Sequence, residues 1–341
     1  PIHGNGIGVL VADSPFGPFK DPLGKPLVWR REHWSDIDPT VWIDDDGQAY
    51  MYWGNPHTYC VRLNEDMISI KGDIMQMDPI GDYQEGPWFW SRKNARGEIW
   101  YYLAYASTCC PEGIGYAMSK SPIGPWEHKG HIMDHTPRTR GNHPGIIEYK
   151  GKWYCFGLNY DIFRLETSRH AERRSVSAAE MTYNADGTIQ ELPYFLDCKL
   201  EQVGTFNPYR RVEAETMAWG FGLKTTRENP SGPWNPTLFV TDIDDGEYIL
   251  VKGVDFGKGA KELKASCSSL LFGGRMEIRL DAPDGWKAGE IDVPNTKFKY
   301  ETFRTELTKC KGVHDVYFVF KSTSMQKKNL FNFDWWEVGK D

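Results

Sequence analysis

No basic cluster stands out in this sequence, and no apolar run approaches the roughly 20 residues that a membrane helix needs. Nucleic acid and the membrane are therefore excluded as partners, in keeping with a formal net charge of −7. A signal-peptide pattern is also lacking. The chain opens Pro1-Ile2-His3 without a Met, so removal of an upstream segment is expected. Seven cysteines form no CxxC spacing, which argues against zinc. Cys109 and Cys110 are adjacent and are read as two small loop residues.

Aromatic residues, in contrast, are abundant: 14 Trp, 17 Tyr and 17 Phe, cut up by 34 Gly and 21 Pro. That mixture favours short strands and tight turns, hence an all-β protein. At 341 residues the chain has room for two domains. The first 200 residues repeat. Ile7–Phe19 returns as Ile114–Trp126, each copy a strand, a Ser-Pro-x-Gly-Pro turn and an aromatic, with the turns 107 residues apart. An interleaved unit starts at Asp38-Pro39, Gly86-Pro87 and His143-Pro144, so that its prolines are spaced by 48 and 57 residues. Each copy leads through a turn into an aromatic strand. Units of about 50 residues are the size of a four-stranded propeller blade. Pro is tolerated where a strand begins and not in mid-sheet.

In such a blade the innermost strand begins beside the central channel. Asp38, Glu85 and His143 each fall just before a first strand, so the repeat gathers two carboxylates and an imidazole at one mouth. Paired carboxylates suit glycoside hydrolysis, one held protonated as acid and another ionised. Other readings stay open at this level. Asp before Pro forms turns, Glu85 fits a solvated loop, and His143 fits a strand cap. Asp44, Asp45 and Asp46 with Gly47 read as a hairpin turn and not a metal loop. Trp34, Trp53, Trp88 and Trp90 divide between core and a stacking wall for sugar rings.

The motifs Ser35-Asp36-Ile37-Asp38-Pro39-Thr40, Tyr83-Gln84-Glu85-Gly86-Pro87-Trp88, Gly141-Asn142-His143-Pro144-Gly145 and Arg173-Arg174-Ser175-Val176 together resemble glycoside hydrolase family 43. The resemblance runs over about residues 6–200. It implies a five-bladed β-propeller that acts with inversion on arabinofuranosides and xylosides. By position, it implies that Glu85 is the general acid and that Asp38 is the carboxylate tuning and orienting it. His143 is implied to lie near a bound calcium or water, and Asn142 and Arg174 to bind sugar or hold the carboxylates. Trp34 and Trp88 are the candidate sugar-stacking residues. The general base of the family, an Asp of the first blade, is expected upstream of residue 1. Residues 1–205 supply about three and a half units of roughly 50 residues, so they are expected to form a propeller lacking its first part.

Beyond residue 210 the pattern changes to several short alternating strands, among them Tyr248–Val251, Met276–Leu280 and Val316–Phe320. This spacing reads as a β-sandwich over residues 210–341. The Glu213-Ala214-Glu215 opening, the Gly246-Glu247-Tyr248 to Asp255-Phe256-Gly257 stretch and the Asn332-Phe333-Asp334-Trp335 ending resemble a family 6 carbohydrate-binding module of jelly-roll type. The resemblance implies a structural calcium on Glu213, Glu215 and Asp334, hard oxygen ligands that suit the ion. It implies a sugar cleft at Tyr300 and Asn332. The alternative is a degenerate cleft whose domain only braces the propeller.

The expected function is release of terminal α-L-arabinofuranose from arabinoxylan or related hemicellulose oligosaccharides, without an organic cofactor and outside the cell. The alternatives are a β-xylosidase or bifunctional enzyme, a non-catalytic sugar-binding protein because the base is absent, and a propeller scaffold for protein partners.

Overall fold

The computed structural model describes residues 6–15, 17–30, 35–94, 96–159, 175–227 and 238–339. The chain divides into two units, residues 1–200 and 201–341. The division falls slightly earlier than the sequence pattern suggests. Phe206 already bridges to Val254, and its amide donates to the Gly253 carbonyl, so the segment after residue 200 belongs to the second unit.

The first unit is a succession of antiparallel meanders. Strands β1 (Thr40–Ile43), β2 (Ala49–Trp53), β3 (Tyr59–Leu63) and β4 (Ile70–Gln76) form one four-stranded sheet in sequence order. Strands β5 (Tyr83–Lys93), β6 (Ile99–Ser107), β7 (Gly113–Ser119) and β8 (Glu127–Met133) form a second. Strands β9 (Gly145–Tyr149), β10 (Lys152–Asn159) and β11 (Ser175–Met181) form a third, three-stranded one. The repeat seen in the sequence is thus a repeat of sheets.

One turn chemistry also recurs, between the first two strands of two sheets and after β11. The amides of Gly47, Gly97 and Gly187 donate to the carbonyls of Asp44, Asn94 and Asn184 at 2.8, 2.9 and 3.0 Å. Asp44–Gly47 is therefore a hairpin turn. In both Ser-Pro-x-Gly-Pro copies the glycine amide closes on the serine carbonyl, Gly17 on Ser14 and Gly124 on Ser121.

Consecutive sheets pack face to face. Ile7 and Val28 pack with Met51, Trp53 and Val61 of the first sheet. Tyr50, Tyr52 and Cys60 on that sheet join Phe89, Leu103 and Tyr105 of the second. Trp90, Tyr102 and Tyr116 of the second join Ile146, Cys155 and Met181 of the third. Central strands are consequently buried on both faces. All seven residues of β7 are buried, and alternation is lost there.

The second unit holds two antiparallel sheets. One runs β14 (Lys224–Arg227), β15 (Leu238–Thr241), β22 (Asn332–Gly339), β17 (Glu262–Ser268), β20 (Glu301–Glu306), with β12 (Val212–Glu213) paired to β22. The other runs β13 (Trp219–Phe221), β16 (Tyr248–Asp255), β21 (Val313–Lys321), β18 (Gly274–Leu280), β19 (Trp286–Val293). Their inner faces share one core, with Leu263, Ala265, Phe333 and Trp336 from the first and Ile249, Ile278, Phe318 and Phe320 from the second. This is the expected β-sandwich.

Candidate active site

The starts of β1, β5 and β9 and the loop after β2 lie at one end of the meanders, because Thr40 pairs with Tyr52 and Glu85 with Ala106. Asp38, Glu85 and His143 meet there. One ligand atom from each lies within 4.8 Å of the others, and all three residues are half-buried. His143 Nε2 is 3.4 Å from Glu85 Oε1. The sequence expectation that these residues converge holds.

Local backbone geometry produces this convergence. Glu85 lies inside β5 and not before it, where pairing with β6 shifts register on both sides of Glu85. Such bulges re-aim a side chain that regular pleating would place elsewhere. Gly86 follows at φ +60°, and a Cβ built there would fall 2.5 Å from His143 Nδ1. Glycine is thus required twice at this position, for its backbone and for the imidazole beside it. Asp38 also takes a left-handed conformation, at φ 56°.

Three neighbours escaped sequence reasoning. Asn55, 7% exposed, donates its amide to Glu85 Oε2 at 2.6 Å. Its own oxygen accepts from Gln84 Nε2 at 3.2 Å. The Tyr83 hydroxyl donates to the Gly54 carbonyl at 2.8 Å. Burial pushes the Tyr83 phenol well above its ordinary range, and the charges of Asp38 and Glu85 push the same way. The available signal was the Trp53-Gly54-Asn55-Pro56 break between two aromatic strands, placed by topology at the site end.

Behind Asp38, the Asp36 carboxylate is 4% exposed and accepts from the Arg30 amide (2.9 Å), Arg30 Nε (2.7 Å) and Trp53 Nε1 (3.0 Å). Burial alone would raise its pKa, but these hydrogen bonds outweigh burial and hold the carboxyl below its ordinary range.

The remaining expected residues are placed as follows. Trp88 is 38% exposed and donates its indole N–H to the Ile146 carbonyl at 2.8 Å, leaving ring surface available. Asn142 is wholly buried, its oxygen accepting from the Leu158 amide at 2.9 Å. It thus holds the backbone at Leu158 from the position next to His143. Trp34 and Arg174 lie outside the described residues. Cys109 and Cys110 are joined in a vicinal disulfide, which corrects their reading as independent loop residues. Both approach Glu112 Oε1, and Glu112 Oε2 accepts from the Gly141 amide at 2.6 Å, so this loop braces the segment that carries His143.

In the second unit Asn332 accepts from the Thr241 hydroxyl at 2.7 Å, and the Tyr300 ring meets Phe239 edge-on at 6.0 Å between centroids. Glu213 is held by both arms of Arg211 at 2.8 and 3.0 Å, and Asp334 lies 3.9 Å from the same guanidinium. Glu215 Oε2 is buried and accepts no hydrogen bond among the described residues. Burial, then the charges of Glu213 and Asp334, raise its pKa. An acidic cluster with a buried, unmatched carboxylate oxygen fits a hard cation, with Arg211 holding part of the charge balance.

Stacked antiparallel meanders with carboxylates gathered at one end, joined to a β-sandwich, define a modular carbohydrate-active enzyme. Residues 2–189 match the profile of glycosyl hydrolases family 43, and the chain belongs to that family as a glycoside hydrolase. Residues 213–340 match the carbohydrate binding module of family 6. The chain is 34% identical to an arabinoxylan arabinofuranohydrolase of Bacillus subtilis (strain 168), over 98% of this chain and 70% of that protein. It is also 34% identical to one of Paenibacillus polymyxa, over 98% of this chain and 56% of that protein. The crystal structure of a Bacillus subtilis family 43 arabinoxylan arabinofuranohydrolase in complex with cellotetraose superposes with TM-score 0.81 at 33% identity, covering 99% of this chain and 75% of that one.

Proposed function

We propose that the chain is the acid-bearing part of an inverting α-L-arabinofuranosidase that removes arabinose side groups from arabinoxylan outside the cell. The carrying observation is the Asp38–Glu85–His143 cluster, set in a chain that aligns almost throughout with two arabinoxylan arabinofuranohydrolases. Glu85 protonates the departing glycosidic oxygen. Asn55 donates to its Oε2, and His143 Nε2 lies 3.4 Å from its Oε1.

Asp38 is too close to Glu85 to be the base of an inverting pair. Their oxygens lie within 4.8 Å, whereas acid and base need roughly 6.5–9.5 Å to admit a water. At short range a second carboxylate disfavours ionisation of the first, which is the role proposed for Asp38 beside Glu85. The base is a further carboxylate, supplied by the family's first blade in a closed five-bladed ring. His143 holds either a water or a calcium ion beside the acid. The second unit anchors the enzyme to the polysaccharide through Tyr300 and Asn332, with calcium held by Glu213, Glu215 and Asp334.

The test is pentose release from arabinoxylan and from aryl arabinofuranoside and xyloside, by the protein extended to include the first blade and by its Glu85→Gln variant. Arabinose release that falls about 10²–10⁴-fold in the variant is expected for a lost general acid. The loss should be smaller on the aryl substrate, whose leaving group needs little protonation. Xylose as the product would replace the arabinofuranosidase with a β-xylosidase. Sugar binding without turnover in either protein would overturn the catalytic reading of this chain.

A further inference from the structure

Strand β5 enters the site through a bulge. Tyr83 pairs with Ser107 and Glu85 with Ala106, so β5 advances by two residues where β6 advances by one, and Gln84 is the extra residue. In a regular strand consecutive side chains point to opposite faces. Here Gln84 and Glu85, consecutive in β5, both reach the same side chain. Asn55 Nδ2 donates to Glu85 Oε2 at 2.6 Å, and Asn55 Oδ1 accepts from Gln84 Nε2 at 3.2 Å. The buried Asn55 is thus held at both ends of its carboxamide.

Those two ends differ in chemistry, since the oxygen only accepts and the nitrogen only donates. An Asn beside a carboxyl has two orientations, and the group on its far side selects between them. With its oxygen toward Glu85, Asn55 would repel the charge which that carboxyl acquires on giving up a proton. Turning Asn55 alone would also set its NH2 against the Gln84 NH2. Turning Gln84 alone would set two amide oxygens against each other. The orientation seen is the one that matches donor to acceptor at both contacts when Glu85 is ionised.

We infer that Gln84 is a positioning residue for the acid step, holding the Asn55 carboxamide so that its N–H meets Glu85 as that carboxyl gives up its proton. The inference rests on the reading of Glu85 as the general acid. Hydrogen bonds to an ionised group are roughly twice as strong as those between neutral groups. The Asn55 contact therefore strengthens as Glu85 passes from acid to carboxylate. An interaction that grows along the reaction lowers the barrier and shows in kcat, whereas one of constant strength shows in substrate binding. Gln84 acts through Asn55, and the bulge is what brings it there.

The experiment has two arms. In the first, kcat and KM on arabinoxylan are measured with the protein extended to include the first blade, as wild type, Gln84→Met, Asn55→Ala and the double variant, with Glu85→Gln as reference. Methionine keeps the length of glutamine without its N–H, and Gln84→Ala is measured beside it as a second way of removing the donor. Loss of one neutral hydrogen bond should lower kcat about 2- to 10-fold at nearly unchanged KM. In the Asn55→Ala background the same substitution should cause no further loss, because coupled residues are not additive. In the second arm, the Asn55 side-chain amide is followed by NMR in the nitrogen-labelled chain itself, assigned by its disappearance in Asn55→Ala. Its signals should move, and exchange faster with water, in Gln84→Met and Gln84→Ala.

Full kcat in both Gln84 variants overturns the proposal. So does an equal loss with and without Asn55, or an Asn55 amide signal that stays in place. Full activity in Glu85→Gln would remove the acid reading, and the proposed acid-step role with it. The NMR arm needs no turnover, so it separates that failure from a failure of the Gln84 contact.

Discussion

Asn55 holds Glu85 from the opposite side to His143, the amide on Oε2 at 2.6 Å and the imidazole 3.4 Å from Oε1. The two oxygens of one carboxyl are thereby made unequal. Removing the amide takes away the donor on Oε2. A hydrogen bond to such a group contributes about 1.5–3 kcal/mol, so Asn55→Ala should lower kcat/KM about 10- to 100-fold on arabinoxylan. The acid limb of the pH–rate profile should shift in the same variant, which a purely structural role would not produce. An unchanged profile with a lowered Tm would return Asn55 to a structural role.

Gly86 offers a cleaner separation of backbone from contact. Gly97 occupies a hairpin turn at φ +79°, with nothing within 4 Å of a built Cβ, whereas Gly86 at φ +60° would place its Cβ 2.5 Å from His143. Gly97→Ala should cost only the left-handed backbone penalty, roughly 1–2 kcal/mol. Gly86→Ala should cost more by urea denaturation and should move the His143 imidazole resonances. Equal costs for the two variants would mean that His143 yields freely and that the glycine is there for its backbone alone.

The repeat was legible because each sheet has a proline near the start of its first strand, and Asp38, Glu85 and His143 sit beside those prolines. Asp38, Glu85 and His143 could be grouped from proline spacing without knowing any side-chain direction. The bulge around Glu85 was not legible, since a register shift depends on how β5 meets β6. Asn55 and Asp36 were missed for a related reason. Asn55 meets Glu85 30 residues away and Asp36 meets Trp53 17 residues away, so no local pattern marks them. Asn142 is turned inward to Leu158, next to His143, which faces the cluster. The paired cysteines carry no spacing signal at all.

Asp36 sets an acid limit on the first unit. Its folded carboxyl titrates below the ordinary value, so the stability it contributes is present above the unfolded carboxylate range, about pH 3.9, and is lost as pH falls through the lower folded value. Asp36→Asn should remove that loss on acidification. At neutral pH it leaves Arg30, whose guanidinium is 3.5 Å from the Tyr59 ring centroid, without its carboxylate partner. Breaking such a pair costs about 3–5 kcal/mol. Urea unfolding at about pH 7 and about pH 3 reads both effects. A variant as stable as wild type at neutral pH would show that Trp53 and Tyr59 hold this loop without Asp36.

Calcium in the second unit is tested by the same linkage with opposite sign. Glu215 is buried beside Glu213 and Asp334 and titrates above the ordinary range, so its ionised form destabilises the folded unit unless a cation is present. An ion bound only by the folded state adds stability, about 2.7 kcal/mol at a hundredfold excess over Kd. Calcium should therefore raise Tm and a chelator lower it at about pH 7. The effect should fade toward acid pH as Glu215 takes up a proton, because carboxylate ligands bind metal only when ionised. Glu215→Gln should abolish the calcium shift. Its chelator-treated Tm should not fall below that of wild type, since the substitution removes a buried repulsion and Arg211 still neutralises Glu213. If a chelator leaves the wild-type Tm unchanged, Arg211 alone balances the cluster and the calcium role fails.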